Sequence, residues 1–479
     1  MACSIALFRL DLRLADNPAL SAAAKHRGAV IPTFVWSPEE SGAFAMGGAS
    51  RWWLHHSLKK LADSLERLGS RLIILRGPYL PTLRKLMCDC GADAVFWNRR
   101  YEPVAAKLDH SIEQALCEDG LGVETFNGRL LFEPAETWNQ QGRPFQVFSA
   151  YWRACMKMAE PDRPVSAVSK LQAPEKWPSS LSVDELGLAP RANWAKGIEA
   201  AWRPGEQGAK SQLKEFLAKG FAEYATDRDF PDRTGTSRLS PYLHFGEISP
   251  RQVWHAVQTK LKRGSGKEIR KAAEVFLREL GWREFSHQLL VHFPHTVTKP
   301  LRKKFENFPW KRDDQALRAW QRGRTGYPIV DAGMRELWTT GWMHNRVRMI
   351  VASFLVKHLL IDWREGAAWF WDTLVDADMA NNTLGWQWVA GCGADAAPYF
   401  RIFNPVLQGR KFDPDGAYVR KWIPELSKLP VKWIHAPWEA PDNELEAASV
   451  EMGANYPKPI VDHATARKRA LATLAGVRD

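Results

Sequence analysis

The chain has 479 residues, with 66 Lys and Arg against 54 Asp and Glu, for a formal net charge of +12. Hydrophobic residues make up 45% and charged residues 25%; that balance excludes an intrinsically disordered chain, and the length suits two domains with separate cores. No run of 18 or more apolar residues occurs, which excludes a helical membrane span, while the basic excess points to an anionic partner.

In chain order, the short apolar runs "SIALF", "AVIPTFVW", "RLIILRG", "DAVFWN" and "GVETFNG" predict five buried strands with helical patterns between them. The strongest of these patterns is "SRWWLHHSLKKLADSLERLG", in which Leu54, Leu58, Leu61, Leu65 and Leu68 share one helical face. Ser50 is expected to cap its start and Gly69 its end. Strand–helix alternation predicts an α/β domain with a doubly wound parallel sheet over residues 1–130. No GxGxxG follows the first strand, so the dinucleotide fingerprint is absent there. Residues 131–205 are rich in Pro, Ser and Ala without sustained periodicity and read as a connector. From 206 to 479 strands become scarce, and "EQGAKSQLKEFLAKGF", "IRKAAEVFLRELGWREFSHQLL" and "HNRVRMIVASFLVKHLLI" predict helices, so this domain is expected to be all-helical. The start lacks a secretory signal pattern, and the six cysteines have no zinc-site spacing, so a reducing cytoplasm is expected.

Four constellations fall in the helical half. Gly235, Thr236, Ser237 and Ser240 gather small donors before a helix start, suiting a phosphate or simply a capped turn. Glu279, Trp282, Arg283 and Ser286 share much of one helix face. From Lys299 to Arg348 twelve Lys and Arg face five acids, with Trp310, Trp320, Trp338 and Trp342 interleaved. Cations for phosphates and rings for bases describe a nucleic-acid groove, although a solvated basic face over core tryptophans has the same composition. Last comes "DADMANNTLGWQW". Asp376 and Asp378, two apart, could converge on one ligand only from a turn, and no metal-ligand spacing follows. Ten tryptophans lie between Trp282 and Trp388. Close indoles can relay single electrons as well as fill a core.

These segments, in order, resemble the photolyase/cryptochrome family. The carriers are "FRLDLRLADNPAL", "GTSRLSPYLHFGEIS", "ELGWREF", "TGYPIVDAGMRELWTTGWMHNRVRMIVASFLVKHLLIDWREG", "DADMANNTLGWQW" and "RIFNP". The resemblance implies an N-terminal α/β antenna-binding domain and a C-terminal helical domain holding non-covalent FAD, active as FADH⁻. It implies flavin contacts at Tyr224, Thr236, Ser237, Arg238, Leu239, Ser240, Arg283, Arg348, Asp376 and Asp378, with Asn382 facing flavin N5. Asn at that place resembles photolyases, whereas plant-type photoreceptors carry an acid and animal-type ones a thiol. Trp310, Trp363 and Trp386 match the family's electron-transfer chain. Trp282 and Trp388 match rings packing on a flipped-out lesion, with Glu279, Asn345 and Met349 in the same pocket. Arg228, Arg283, Arg346 and Gln408 match DNA contacts.

The implied activity is repair of cyclobutane pyrimidine dimers in UV-damaged DNA by electron transfer from excited FADH⁻, in a monomeric enzyme. A cryptochrome-type blue-light receptor and a (6-4) photolyase are the alternatives. Asn345 stands where (6-4) enzymes usually carry a second His, and only Cys392 of the cysteines lies in the helical half, short of the iron–sulfur branch's four. "SRWWLHHSL" resembles plant cryptochromes and class III photolyases, implying a methenyltetrahydrofolate antenna. Val104 and Ala105 replace the Asn–Glu pair that clamps folate in class I enzymes, so 8-hydroxy-deazaflavin and FMN stay open.

Overall fold

A computed structural model describes residues 3–190, 192–263, 266–399 and 401–477. The chain forms two compact units. The first comprises Met1–Trp194, Trp202–Phe221 and Ser237–Pro294; the second comprises Ala195–Ala201, Ala222–Thr236 and His295–Asp479. Packing therefore groups segments that the sequence reading separated near residues 130 and 205.

The first unit holds all five expected strands: β1 (Cys3–Phe8), β2 (Ala29–Trp36), β3 (Ile73–Arg76), β4 (Ala92–Asn98) and β5 (Gly122–Phe126). They form one parallel sheet in the order β3-β2-β1-β4-β5. Every residue of β1 and β2 is buried, which is why these strands read as unbroken apolar runs rather than alternating ones. Between them run α1 (Pro18–Lys25), α2 (Gly48–Glu66), α3 (Tyr79–Cys90) and α4 (Pro103–Glu118). In α2 the leucine stripe is buried as expected at Leu54, Leu58, Leu61 and Leu65. The capping expectation fails at Ser50: the helix starts at Gly48 after Gly47, and Ser50 is a buried residue of the first turn. Its side chain is therefore inside the helix and not at its mouth. Gly69 does terminate the segment, in the left-handed region at φ 71°.

Residues 156–183 contain neither helix nor strand. Their backbone is tied to the sheet instead, through Leu181 N–H to Ile74 O at 2.9 Å and Val30 N–H to Gln172 O at 2.9 Å. The first unit ends with α5 (Phe148–Cys155), α6 (Pro250–Lys262) and the long α7 (Lys267–His292). A Ser249–Gln252 capping box starts α6.

The second unit is helical: α8 (Pro328–Thr340), α9 (Asn345–Ser353), α10 (Trp363–Thr373), α11 (Met379–Ala390), α12 (Pro405–Phe412), α13 (Ala417–Trp422) and α14 (His463–Ala475) are its main members. The expected helix from His344 to Ile361 ends early. Beyond Ser353 it widens into a π turn over Phe354–His358, and Leu360 then takes φ 55°. Among the described residues no helix is long and apolar enough to cross a membrane.

Glu247, fully buried in the first unit, accepts from Trp53 Nε1 at 3.2 Å, from Ser57 Oγ and from Gly205 N–H at 2.6 Å. Burial nevertheless pushes its carboxyl up to about 8. A raised carboxyl binds its proton more tightly in the folded state, so its stabilisation is present at low pH and is lost as pH rises from about 4.5 to 8. Glu247→Gln cannot titrate. Its melting temperature should therefore gain on that of the wild type as pH is raised from about 6.5 to 8. Parallel melting curves across that window would exclude Glu247 as the titrating group.

Candidate functional site

The turn between α10 and α11 presents the two acids of "DADMANNTLGWQW" separately. Asp378 is the N-cap of α11 and accepts from Asn381 N–H at 2.9 Å. Asp376, with a side chain 3% exposed, receives Arg348 Nη2 on both carboxylate oxygens at 3.0 and 2.8 Å. Arg348 Nε donates to Met343 O at 2.8 Å, so the guanidinium is held by α9's own approach as well as by its acid. One turn into α11, half-buried Asn382 donates from Nδ2 to Ala367 O of α10 at 3.1 Å. α11 packs on both α9 and α10.

His344 caps α9 through a ring nitrogen: Nδ1 accepts from Arg346 N–H at 3.2 Å. Burial pushes this imidazole down to about 4, against the pull of Asp229, so it is neutral at pH 7 and able to accept. Asn345 is exposed at the first helical position. Arg346 reaches Asp229 at 2.7 Å, lies over the Phe412 ring at 4.5 Å and approaches Met349 Sδ at 3.9 Å. Arg346 and Met349 are thus together, and Arg346 is already charge-paired. Arg228 covers the Tyr224 ring at 5.5 Å. Gln408, on α12, is half-buried. Close backbone approach explains Gly235 in this stretch: a Cβ there would lie 2.5 Å from Asp227 O.

The basic run divides into two groups. Nine of its twelve cations are exposed. The other three, Arg335, Arg346 and Arg348, are ion-paired to Glu425, Asp229 and Asp376. Its tryptophans divide too: Trp320 is fully buried, Trp310 and Trp342 are half-buried, and Trp338 is exposed and stacked on Trp369 at 5.9 Å. Trp363 and Trp386 are each 2% exposed and belong to one core with Trp320, against which Trp310 and Trp388 pack. Burial therefore falls from Trp386 and Trp363 to Trp310. Trp386 lies edge-on to Phe370 at 5.0 Å and to Trp320 at 6.2 Å.

In the first unit, Glu279 and Trp282 are half-buried on α7. Phe148 of α5 stacks on Trp282 at 3.8 Å and 11°. Arg283 departs from the shared face: it is buried, and Nη1 donates to Arg129 O at 2.9 Å and to Glu284 at 3.0 Å. Ser286 is buried and donates back to Arg283 O. Ser237 O accepts from Gln212 Nε2 at 3.0 Å, and Ser237 Oγ accepts from Leu239 N–H at 3.4 Å. Arg238 sits at φ 50°, an uncommon value for a residue with a Cβ, with its guanidinium 4.2 Å from the Trp202 ring centre. Ser240 opens a five-residue helix, Ser240–His244.

Three groups escaped the sequence reading. Glu284 takes Leu131 N–H at 2.7 Å and Phe132 N–H at 3.3 Å, and burial pushes it up to about 7. Asp229 neutralises Arg346, and His344 holds the start of α9. The backbone donors to Glu284 and the cation paired with Asp229 lie more than a hundred residues away, beyond any periodic signal. His344 alone had a local one, a capping-type side chain just before a helix.

Two family models match the sequence: DNA photolyase over residues 4–173 and the FAD binding domain of DNA photolyase over residues 276–476. A deoxyribodipyrimidine photo-lyase of Agrobacterium fabrum is 50% identical over 99% of this chain and 98% of its own. Cryptochrome-2 of Arabidopsis thaliana is 44% identical over 99% of this chain and 79% of its own. The crystal structure of a bacterial class III photolyase from Agrobacterium tumefaciens superposes with a TM-score of 0.96 at 50% identity, covering 100% of this chain and 98% of that one. The chain belongs to the DNA photolyase family. Its donor set fits the FAD that the matched domain binds. The second unit offers the half-buried Arg348 guanidinium paired with buried Asp376, the Asn382 amide and a buried Trp386 Nε1 with no hydrogen-bond partner among the described residues. These are polar groups for a flat, heteroatom-rich ring system in otherwise apolar surroundings.

Proposed function

We propose that the protein repairs cyclobutane pyrimidine dimers in UV-damaged DNA under near-UV or blue light. The carrying observation is 50% identity over nearly the whole chain to a deoxyribodipyrimidine photo-lyase. Cryptochromes stand further off at 44%, and Asn382 is the photolyase-type residue at its position. Bound FAD, in its reduced form, supplies the light-driven one-electron donor. The protein's part is to bind, orient and protect.

In the second unit, Tyr224, Thr236, Arg348, Asp376, Asp378 and Asn382 are the proposed flavin contacts; in the first, Ser237, Arg238, Leu239, Ser240 and Arg283. The charged pair fixes its own geometry before any ligand arrives, so little reorganisation is needed on binding. Asn345 and Met349, with Glu279, Trp282 and Trp388, are proposed for the extruded lesion, since bases treated by such enzymes leave the stack. Arg228, Arg346 and Gln408 are proposed for the DNA backbone. Residues 1–130 are proposed as the antenna-binding domain, 131–205 as connector and 206–479 as the FAD- and DNA-binding domain, in a monomer. The proposed antenna is methenyltetrahydrofolate, with 8-hydroxy-deazaflavin or FMN as alternatives. A second flavin has a parallel in an archaeal photolyase from Sulfolobus tokodaii with two FAD molecules, 30% identical, TM-score 0.83.

Two measurements test the reading. Reduced protein should restore a dimer-containing oligonucleotide in light and leave it unchanged in darkness; repair of (6-4) products alone would overturn it. Absorption of the purified protein reports FAD and antenna together.

Trp282→Ala should weaken binding of dimer-containing DNA by about 1–3 kcal/mol, the range of base–aromatic stacking. Undamaged DNA should be bound nearly as before. Equal losses on both DNAs would mean that the change acts through Phe148 packing and not through a lesion.

Arg346→Ala should reduce the slope of log K against log salt by about 0.9 on duplex DNA, the value for one phosphate contact. Asp229 competes for the same guanidinium, so Asp229→Asn should tighten binding. An unchanged slope in the Arg346 variant would show that the ion pair stays closed on DNA.

A further inference from the structure

Cys3 opens β1, and its register partner in β4 is Ala92. Neighbouring strands lie about 4.8 Å apart. Cys90 closes α3, and only Gly91, left-handed at φ 63° and ψ 35°, separates it from β4. The turn brings the end of α3 back over the start of β1, and both cysteines pack in the same core. Cys3 Sγ donates to Ser4 O and Cys90 Sγ to Met87 O, each at 4.0 Å, and the two thiols act on each other electrostatically. Cys3 is buried, whereas Cys90 is partly exposed, so Cys90 is the one of the two that a small solute meets first.

We propose that Cys3 and Cys90 are a redox pair that hydrogen peroxide oxidises to an intrachain disulfide. The Cys90 thiolate attacks one peroxide oxygen and the O–O bond breaks. Cys90 becomes a sulfenic acid, and the departing hydroxide leaves as water with the proton that Cys90 released. Cys3 sulfur then attacks the Cys90 sulfur, the S–O bond breaks, and a second water leaves with the Cys3 proton. Two thiols and one peroxide give one disulfide and two waters; a dithiol reductant reverses the change.

The neighbouring Cys3 thiol holds the Cys90 thiol below its ordinary value, against the opposing effect of burial, which favours the thiolate that the first step needs. The neighbouring Cys90 thiol, with burial, pushes Cys3 far up, so Cys3 stays protonated and leaves the first step to Cys90; its proton is the one that the second water carries away. The closed loop runs from residue 3 to residue 90 and encloses β1, β2 and β3. The link sits at the amino end of β1, whereas open parallel sheets bind ligands beyond the carboxyl ends of their strands. Oxidation should therefore stiffen the α/β unit and leave the light reaction intact.

The test treats purified full-length protein with stoichiometric hydrogen peroxide. The product should be two hydrogens lighter, and peptide mapping should join the Cys3 peptide to the Cys90 peptide. Its melting temperature should rise by roughly 5 °C or more and return on reduction. Cys3→Ala should leave a Cys90 sulfenic acid that a 1,3-diketone traps, and Cys90→Ser should leave Cys3 unreacted. Oxidation confined to the exposed Cys88 and Cys117, with Cys3 and Cys90 still free, would overturn the proposal, as would a disulfide between two chains.

Discussion

An Arg348→Met variant should lose about 3–5 kcal/mol of stability, the cost of leaving the buried Asp376 carboxylate without its cation. Asp376 has a side chain 3% exposed and takes both of its short charged contacts from Arg348 Nη2. Methionine keeps most of the volume of the arginine stem but supplies no donor. The carboxylate then stays buried without its cation, and Met343 O loses its guanidinium donor as well. If the pair also borders the flavin, as proposed, the variant should purify with little yellow colour. Melting temperature and the ratio of flavin to protein absorbance check both expectations. A double variant, Arg348→Met with Asp376→Asn, removes the orphaned charge and should recover part of the stability without recovering the flavin. Wild-type melting with full flavin in the single variant would show that the pair carries neither role.

How far the sequence disclosed this molecule depended on the range of the interaction. Burial on both faces leaves a local mark, so β1 and β2 were legible as apolar runs, and the alternation of strands with helices implied a parallel sheet. The leucine stripe of α2 was legible for the same reason. Ser50 misled because a good capping residue two positions inside a helix has the same sequence signature as one at its start. The turn geometry at Asp376 and Asp378 was also foreseeable, since a spacing of two cannot converge on a helix. Charge counting failed at longer range. The run from Lys299 to Arg348 counted Arg335, Arg346 and Arg348 as free cations, yet each is neutralised by an acid far away in sequence. Arg283 was placed with Glu279 and Trp282 by helical spacing, but Glu284 beside it and the Arg129 carbonyl turn its guanidinium inward.

Trp386→Phe should abolish or nearly abolish photoreduction of the oxidised flavin while sparing repair by chemically reduced protein. The motive is the match of Trp386, Trp363 and Trp310 to an electron-transfer chain, together with their graded burial, from 2% exposed at Trp386 and Trp363 to half-buried Trp310. The substitution is mild structurally. Trp386 packs over Gly366 in space that a Cβ there would fill, 2.0 Å from the indole, so the smaller phenyl ring fits and leaves a small gap. Phe370 still provides an edge-on partner. Phenyl is much harder to oxidise than indole, so the electronic change is large where the packing change is small. Illumination with an external reductant reads the first effect, and single-turnover repair after dithionite reduction reads the second. Comparing Trp363→Phe with Trp320→Phe identifies the next carrier, because Trp320 lies within 6.2 Å of Trp386. If Trp386→Phe reduces its flavin at the wild-type rate, electrons do not pass through this indole. If reduced Trp386→Phe fails to repair dimers, the residue serves the lesion reaction itself, and the assignment to resting-state photoreduction falls.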